Sequence, residues 1–427
     1  MADHGTADRR LRLGIAGLGR GFMAMRATLS RHPRVVLAGA ADPREEARRR
    51  FAADCGAPAH ATVEELCADP TLDAVYVATP HQFHAAHVAL AAAAGKHILV
   101  EKPMALTLEE AGAMIAAADA AGVHLIVGHT HGFDAPILRA RDLIAGGEYG
   151  AIRMITAMDY TDFLYRPRRP EELATERGGG VMFNQAPHQV DVVRLLGGGL
   201  VRSVRAVTGA WDQARPTEGA YSALLTFENG AVATLTYSGY AHFDSDEFCG
   251  WVGESGQPKD PERYGQARRL LGRVAGPDDE AAFKSTRIYG GADEPPGAFP
   301  DDPPFHQHFG VVVVSCDRAD LRPTPRGVLV YGDADRHLDP LPPPTVPRAE
   351  VLDELCAAVL DGRPPVHGGA WGLATLEVCL AMLRSAREGR EVTLSRQVAV
   401  PGNPPIFSRG RPDGVPGMAA SPELGSR

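Results

Sequence analysis

The feature that most constrains the fold is a short glycine-rich turn, GIAGLGRGF, which spans Gly14 to Phe22. It lies between the apolar run LRLGIAG and the helix-like stretch FMAMRATLSRH, and a second apolar run, VVLAGAADP, follows. This order of strand, glycine turn, helix and strand is typical of a dinucleotide-binding unit, in which backbone N–H groups at the helix N-terminus meet a diphosphate. A purely structural turn is the alternative interpretation. The residues predicted to contact the dinucleotide are Gly17, Leu18, Gly19, Arg20 and Phe22, the last in place of a third glycine.

Asp42 ends the second apolar run, where an acid accepts hydrogen bonds from the adenosine ribose hydroxyls and repels a 2′-phosphate. The position favours NAD over NADP, although Arg44 two residues later weakens the preference. The alternative is that Asp42 caps the helix predicted from PREEARRRF.

The rest of the first 130 residues repeats the alternation of short apolar runs and alanine-rich helical stretches. DAVYVATP, KHILVEKP and HLIVGHT are the further strands, and HAAHVALAAAAG is one of the intervening helices. Strands that alternate with helices indicate an α/β fold with a parallel, doubly wound sheet. We therefore predict a Rossmann domain over residues 1–130.

After residue 130 the strands become longer and half-alternating, as in YSALLTFENGAVATLTYSGYA, where ENG predicts a hairpin turn between Phe227 and Ala231. Two amphipathic helices, PRAEVLDELCAAVLDG and GLATLEVCLAMLRSAREG, follow near the end. The pattern predicts a second α+β domain over residues 131–400 with a large, mostly antiparallel open sheet. Residues 254–304 are expected to form an irregular insertion, and residues 401–427 a disordered tail.

Charge and cysteine content narrow the class of protein. A net charge of -9 disfavours nucleic acid as a partner, because phosphate binding needs an excess of Lys and Arg on one face. The six cysteines are scattered without a CxxC pair, which fits reduced thiols. No apolar run approaches the about 20 residues that a membrane helix needs, and MADHGTADRR lacks a signal-peptide core. We expect a cytoplasmic protein with no membrane partner.

Four sequence blocks carry a family resemblance. They are VATPHQFHAAH with Thr79 to His84, KHILVEKP with Glu101 to Pro103, GGGVMFNQAPHQVDVVRLLGG, and the closing segment DGRPPVHGGAWGLATLEVCLAMLRSAREGREVTL. Together with the glycine turn they resemble the family of glucose-fructose oxidoreductase and inositol dehydrogenase over most of residues 11–395. The resemblance implies an NAD-dependent dehydrogenase that forms a homodimer or homotetramer through its second sheet. It also implies that the cofactor is contacted by Thr79, Pro80, His84, Glu101 and Lys102.

The same resemblance implies the catalytic residues. Removing a hydride from a carbinol carbon requires a base for the hydroxyl proton, and Lys102 is that base, with a pKa lowered by burial and by the cationic nicotinamide. His188 shares the substrate hydroxyl, and the Lys102–Pro103 bond is expected to be cis. The family's usual aspartate, four residues before the histidine on one helical face, is replaced by Asn184. Asn184 carries no charge, which favours a neutral Lys102. The alternatives are a surface lysine and a core or capping histidine.

Further blocks, including GYAHFDSDEFCGW, resemble the branch of phthalate 4,5-cis-dihydrodiol dehydrogenases. The expected reaction is therefore oxidation of a small cyclic cis-diol to an aromatic diol such as 4,5-dihydroxyphthalate. A sugar or inositol dehydrogenase of the same family and a non-catalytic dinucleotide sensor are the alternatives. Retention of Lys102 and His188 favours an enzyme over a sensor.

A carboxylated substrate needs cations, and the loop YRPRRPEELATERGGG supplies several arginines. The same loop contains three glutamates, so a solvated loop with internal ion pairs is the alternative. A metal site built from His81, His84, His129, His131 and His188 is not expected, since no acidic or Cys ligand accompanies them at a familiar spacing. The predicted substrate contacts are Arg166, Arg168, Arg177 and His129, with Arg169 as a further member of the loop.

Overall fold

A computed structural model of the chain describes residues 9–293 and 303–401. The predicted tail beyond residue 401 and positions 294–302 of the predicted insertion lie outside the described residues. In the described part of the chain no helix is long and apolar enough to cross a membrane.

The first domain is built on a parallel sheet of continuous apolar strands that are buried on both faces. Its strands are β1 (Leu11–Ala16), β2 (Val35–Ala41), β3 (Ala59–His60), β4 (Ala74–Val77), β5 (His97–Val100) and β6 (Leu125–Val127). In the described residues their spatial order is β3-β2-β1-β4-β5-β6, and every pairing is parallel. The order reverses between β1 and β4, where ligands bind in doubly wound sheets. The predicted Rossmann architecture is confirmed.

Helices connect these strands on both faces of the sheet. They are α1 (Arg20–Arg31), α2 (Glu45–Cys55), α3 (Val63–Cys67), α4 (His84–Ala93) and α5 (Leu108–Ala121). Thr107 begins α5 with a capping box in which its side chain accepts from the Glu110 N–H, and Thr62 does the same for α3.

The second domain contains a larger sheet. Its strands are β7 (Ile152–Tyr160), β8 (Val201–Gly209), β9 (Ala220–Phe227), β10 (Val232–Ser238), β11 (Val311–Cys316), β12 (Ala319–Thr324), β13 (Gly327–Gly332), β14 (Arg336–Pro340) and β15 (Val392–Thr393). Among the described residues the order is β14-β13-β12-β11-β7-β10-β9-β8-β15, and β7 with β10 is the one parallel pair. The predicted mostly antiparallel sheet is confirmed, as is the turn between β9 and β10.

One face of this sheet is covered by helices that follow the first domain. The helices of the remaining chain are α6 (Ala135–Ala145), α7 (Gly180–Asn184), α8 (Ala186–Gly197), α9 (Gln266–Leu271), α10 (Pro277–Thr286), α11 (Ala349–Val359) and α12 (Gly369–Glu388). Short 3-10 helices cover His81–Phe83, His131–Phe133, Phe163–Tyr165, Pro170–Leu173, Thr175–Arg177, Ser245–Cys249 and Pro261–Arg263. α8 and α12 bury their apolar faces against the sheet in one core.

The packing of the two C-terminal helices, α11 and α12, does not follow the domain boundary that the sequence predicted at residue 130. α11 packs Val351, Leu352 and Leu355 into the core of the first domain beside α1, and α12 contacts both α5 and β8. The chain therefore returns to the first domain after β14 and rejoins the second sheet with β15. Local apolar periodicity predicted both helices but carried no information about which core receives them.

The expected irregular insertion is also more ordered than the sequence indicated. It contains α9 and α10, and it crosses to the first domain, where Tyr289 is fully buried. The Tyr289 ring packs edge-on against Phe22 at a centroid distance of 5.0 Å, and its hydroxyl donates to Asp54 at 2.8 Å. The prediction of an irregular insertion was wrong. It was based on a high content of Gly, Pro and charged residues, and this composition did not indicate that one aromatic residue, Tyr289, is buried.

Candidate active site

A cleft of about 1200 Å³ separates the two domains. The carboxyl ends of the parallel strands form one wall, and loops at one end of the second sheet form the other. Because five of these strand ends carry predicted site residues, the topology brings Gly17, Asp42, Thr79, Glu101 and His129 to the same edge of the first sheet.

The glycine turn has the geometry that a diphosphate requires. Gly17 has φ +95°, and a Cβ there would lie 2.9 Å from the carbonyl oxygen of Ala78, so only glycine fits. Gly19 precedes the first turn of α1, and no atom lies within 4 Å of the place a Cβ would take. Both glycines and Arg20 line the cleft. The turn and the N-terminus of α1 therefore fit a dinucleotide diphosphate.

Two predicted cofactor contacts do not reach the cleft with their side chains. Phe22 is buried in the core, where it contacts Phe51 and Tyr289. Leu18 is fully buried, and its backbone N–H donates to the Asp42 carboxylate at 2.9 Å. The Phe22 side chain faces inward on α1 and does not line the cleft, so the contact of this residue with the cofactor stays a prediction for its backbone.

Asp42 lies at the cleft and is held by Arg44. Its carboxylate accepts hydrogen bonds from the backbone N–H of Arg44 at 2.9 Å and from the Arg44 guanidinium at 3.0 Å. The same guanidinium donates to the carbonyl oxygens of Leu18 and Tyr289. α2 begins after Arg44, which is its N-cap residue, so the capping alternative for Asp42 is wrong. The Asp42–Arg44 pair instead closes the end of the cleft beside the glycine turn.

Thr79 and Pro80 line the cleft, whereas His84 does not border it. His84 is fully buried, and its two ring nitrogens lie 2.9 Å from the carbonyl oxygens of Thr79 and Pro103. The structure therefore places His84 beneath the cleft, where it ties the turn after β4 to the turn after β5.

Glu101 is fixed by a chain of donors. His129 Nδ1 lies 3.0 Å from Glu101 Oε1, and the Tyr76 hydroxyl donates to the same oxygen. Arg348 Nη1 lies 3.1 Å from His129 Nε2, so Arg348 donates to this nitrogen and His129 donates to Glu101. Burial alone would raise the pKa of Glu101, but His129, Lys102 and Tyr76 lower it to about 2. Glu101 is therefore ionised across the physiological range.

Lys102 points from the turn after β5 toward the second domain. Its Nζ donates to the main-chain carbonyl oxygen of Asn184 at 2.8 Å, and the Lys102–Pro103 bond is cis, as expected. Burial lowers the pKa of Lys102 to about 8, although the carboxylates of Glu101 and Glu254 raise it. A lysine with this pKa has a substantial population of the neutral amine near neutral pH.

Asn184 and His188 do not share one continuous helix, contrary to the sequence-based expectation. α7 ends at Asn184 and α8 begins at Ala186, with Gln185 between them at φ -119°. The Asn184 side chain donates to the carbonyl oxygen of Gly180 at 2.8 Å and to that of Gly178 at 3.3 Å. It therefore faces the segment from Gly178 to Gly180 rather than Lys102. The main chain of Asn184, not its amide, contacts the amine.

His188 lies in the cleft among aromatic rings. The ring of His131 meets it edge-on at 4.8 Å between centroids, and Phe309 lies at 5.1 Å. Its Nδ1 is buried and makes no hydrogen bond to a described residue. Burial, together with the charge of Lys102, holds the pKa of His188 well below its usual value. A neutral imidazole with a free nitrogen can accept or donate a hydrogen bond to a ligand.

His131 is buried between two carboxylates. Its Nδ1 lies 2.6 Å from Asp134 Oδ2, and its Nε2 lies 3.4 Å from Glu254 Oε1. Burial alone would lower the pKa of His131, but Asp134 and Glu254 raise it. The His131 ring and the Glu254 carboxylate therefore lie side by side next to His188. No local sequence pattern indicated this contact, since the two residues are more than a hundred positions apart.

The predicted arginines occupy different environments. Arg166 is paired with Asp162 at 3.3 Å, and Arg177 is exposed at the rim. Arg168 is buried over the Phe163 ring, 3.7 Å from its centroid, and donates through Nη2 to the Phe163 carbonyl oxygen at 2.6 Å. All three border the cleft, as does Arg169. Arg166 pairs with Asp162, which precedes the loop, and Arg168 forms no ion pair with a described residue, so neither arginine pairs with the three glutamates of the loop.

Within residues 9–293 and 303–401 no three His, Cys, Asp or Glu side chains are grouped as metal ligands. Of the five histidines considered for such a site, His84 is taken by two carbonyl oxygens and His129 by Glu101 and Arg348.

Comparison with protein-family models identifies both domains. Residues 11–129 match the model described as an oxidoreductase family with an NAD-binding Rossmann fold, and residues 137–257 match the GFO/IDH/MocA C-terminal domain. The chain belongs to the GFO/IDH/MocA oxidoreductase family. It is a two-domain oxidoreductase, and its cleft lies where this family's NAD-binding domain meets the C-terminal domain.

Individual proteins that are similar to this GFO/IDH/MocA oxidoreductase support the same family assignment. The 1-carboxy-3-chloro-3,4-dihydroxycyclohexa-1,5-diene dehydrogenase of Comamonas testosteroni is 49% identical over 88% of this chain and 95% of its own length. A solved structure from Bordetella bronchiseptica RB50 is 43% identical, has a TM-score of 0.84 and covers 90% of this chain and 100% of its own. The WlbA dehydrogenase of Bordetella pertussis, solved with NADH and UDP-GlcNAcA, shares the fold at 23% identity and a TM-score of 0.62, over 91% of this chain and 99% of its own.

Two residues that line the cleft, Arg348 and Glu254, and one buried beside it, His131, were not found as site residues by sequence reasoning. Arg348 lies just before α11 and reaches His129, Glu254 comes from the expected insertion, and His131 was considered only as a metal ligand. The sequence contained no local pattern for Arg348 or Glu254, because each reaches the cleft through contacts between distant segments.

Proposed function

We propose that this GFO/IDH/MocA oxidoreductase uses NAD to oxidise a cyclohexadiene cis-diol that carries a carboxylate, such as phthalate 4,5-cis-dihydrodiol, to an aromatic diol. The proposal is supported by the Comamonas relative, whose name specifies a carboxylated dihydroxycyclohexadiene. The observation that carries the proposal is the burial of the Arg168 guanidinium at the cleft without a carboxylate partner among the described residues.

Arg168 is a buried cation without a carboxylate partner among the described residues. Its Nε is buried and has no hydrogen-bond partner there, and burial lowers the pKa of Arg168 to about 9. An unpaired buried guanidinium is unfavourable unless a ligand supplies the missing anion. Arg168 borders the cleft, so its guanidinium favours an anionic substrate there. A planar carboxylate is the group that an arginine pairs with best.

Lys102 and His188 supply the chemistry at the diol. The neutral Lys102 amine accepts the proton of the reacting hydroxyl, while the uncharged His188 ring makes a hydrogen bond to the same oxygen. Bound NAD supplies the hydride acceptor. Loss of the O–H proton and of the carbinol hydride leaves a ring ketone, which becomes the aromatic diol by moving one ring proton to the new carbonyl oxygen. Asn184 orients Lys102 through its carbonyl oxygen.

The choice of NAD over NADP is supported by Asp42, which follows β2 and borders the cleft, since an acid at this position of the fold binds the adenosine ribose hydroxyls. The glycines, Thr79, Pro80 and Glu101 complete the cofactor side of the cleft. The six cysteines are all free thiols, which supports the cytoplasm as the compartment.

We further propose a homodimer or homotetramer that covers the open face of the second sheet. Met154 on β7, Leu224 on β9 and Val207 on β8 project from the face opposite the core and are exposed. Exposed apolar side chains on a broad sheet favour burial against a second copy of the chain.

NADH formation by the purified protein tests the activity. The panel contains carboxylated and uncarboxylated arene cis-dihydrodiols, inositols and aldoses, each with NAD and with NADP. We expect turnover of carboxylated cis-dihydrodiols with NAD and at least about tenfold lower kcat/KM for the uncarboxylated ones. Turnover of polyols alone would replace the proposal by a sugar or inositol dehydrogenase. Tight NAD binding without any turnover would indicate a sensor.

A further inference from the structure

A tight turn projects Glu254 into the cleft from the second domain. The turn is closed by hydrogen bonds from the Lys259 N–H to the Trp251 carbonyl oxygen at 2.7 Å and from the Gly253 N–H to the Gln257 carbonyl oxygen at 2.9 Å. Trp251 has φ +56°, which is unfavourable for a bulky residue. Backbone in a sparsely populated region persists where the surroundings enforce it, and such positions cluster at functional sites.

The same turn is anchored at its base. His308 Nε2 lies 2.7 Å from the carbonyl oxygen of Val252, which pairs across the turn with Pro258. Gly256 has φ +82°, and a Cβ there would lie 2.2 Å from the carbonyl oxygen of Phe305. The segment therefore has little freedom, and the position of Glu254 is fixed by the fold rather than by its own side-chain contacts.

The Glu254 carboxylate is held on one side and open on the other. His131 Nε2 lies 3.4 Å from Oε1, and Arg166 Nη1 lies 4.0 Å from Oε2. The side chain is still 40% exposed, and it borders the cleft together with Lys102 and His188. Burial alone would raise the pKa of Glu254, but His131 and Arg166 hold it well below its usual range. An ionised carboxylate is a pure hydrogen-bond acceptor.

Glu254 is linked through His131 to His188, the residue that we propose contacts the reacting hydroxyl. The ring of His131, which pairs with Glu254, meets the ring of His188 edge-on at 4.8 Å. In a vicinal cis-diol the second hydroxyl sits on the adjacent carbon and on the same ring face. With the first hydroxyl at Lys102 and His188, the second lies in the cleft that Glu254 also borders.

We infer that the Glu254 carboxylate accepts a hydrogen bond from the second, non-reacting hydroxyl and so makes the site specific for vicinal cis-diols. This inference rests on the proposed function and adds to it a residue that recognises the second hydroxyl of the diol. Arg168 then meets the substrate carboxylate, and Glu254 meets the diol at the other end. A site built to bond a hydroxyl rejects an analogue that lacks it, because the polar group of the protein is left unpaired.

The test combines Glu254→Gln with removal of the second hydroxyl from the substrate. The kcat/KM of wild type and variant is measured for a carboxylated cis-dihydrodiol and for the matching carboxylated cyclohexadienol, in which hydrogen replaces the second hydroxyl. We expect Glu254→Gln to lower kcat/KM on the diol about tenfold or more relative to kcat/KM on the mono-alcohol, because the effect of the lost charge on the pKa of Lys102 is common to both substrates. Glu171→Gln, which changes another carboxylate at the cleft, is the matched control and should affect both substrates equally.

Equal losses on the two substrates, or no loss on the diol, would overturn the inference while leaving the proposed function intact. If wild-type protein turns over no ring cis-diol, the proposed function fails and this inference fails with it. Should Glu254→Gln not fold, Glu254→Asp keeps the charge but withdraws it by one methylene, and the same difference between diol and mono-alcohol is then expected.

Discussion

The amine of Lys102 lies 2.8 Å from the main-chain carbonyl oxygen of Asn184, a contact that joins the first domain to the second across the cleft. A neutral carbonyl oxygen orients an ammonium or an amine without the strong preference for the charged form that a carboxylate would impose. The position is therefore suited to a lysine that gains and loses a proton during turnover.

Replacement of this amine should abolish turnover but not cofactor binding. We expect Lys102→Met to lower kcat by about a thousandfold, the range typical of a lost general base. Lys102→Arg should be about as inactive, because a guanidinium does not release its proton. NADH formation and the NAD dissociation constant are the two measurements. Wild-type velocity in either variant would exclude Lys102 as the base.

The pH dependence should report the same group. With a pKa of about 8 in the free protein, Lys102 is mostly protonated at lower pH, and only the neutral amine accepts the hydroxyl proton. We therefore expect kcat/KM to rise about tenfold per pH unit below this pKa and to level off above it. Initial rates between pH 6 and pH 10 measure the profile. A rate that falls as the pH rises through this range would mean that the ammonium is the active form.

Asp42 should determine the cofactor preference. Because its carboxylate holds the Arg44 guanidinium, Asp42→Ser removes the repulsion of a 2′-phosphate and also frees a cation to bind it. We expect the ratio of kcat/KM for NAD to that for NADP to fall by about a hundredfold. Arg44→Ala is the control and should lower the use of NADP by the Asp42→Ser variant. An unchanged ratio in Asp42→Ser would mean that the preference is set elsewhere.

Arg168 should bind the substrate carboxylate. Arg168→Met should raise KM for a carboxylated dihydrodiol by about ten- to a hundredfold, the value of a charge-assisted hydrogen bond. KM for NAD and for an uncarboxylated dihydrodiol should stay the same. Arg177→Met, measured in parallel, examines the exposed arginine of the same loop. If Arg177→Met alone raises KM, the carboxylate lies at the rim rather than over Phe163.

The open sheet face should hold the oligomer together. Leu224→Glu places a charge on that face, which is costly to bury, so the protein should shift to monomers. Light scattering after size-exclusion chromatography gives the mass in solution. Leu200→Glu changes another exposed leucine, which lies before β8 and outside the strands, and should leave the mass unchanged. An unchanged mass in Leu224→Glu would place the interface elsewhere.

Many residues of the candidate site could be predicted from the local sequence. The turn at Gly17, the acid at the end of β2 and the Glu101–Lys102–Pro103 block each lie directly after a predicted strand, so the parallel topology brings them to one edge. The helix break at Gln185 was missed, although Pro187 follows within two residues. Phe22 was taken for a cofactor contact because the motif marks positions along the turn but not the direction of a side chain on α1.

The sequence by itself determined the two-domain α/β architecture and the residues at the strand ends, because the apolar periods and the glycine turn act over a few neighbouring residues. Only the tertiary structure decided that Tyr289 and α11 belong to the first core, that Arg168 has no carboxylate partner among the described residues and that Glu254 stands beside His131. The physical reason is that these features depend on the packing of segments more than a hundred residues apart, where burial and charge pairing, rather than local conformational preference, select the contacts.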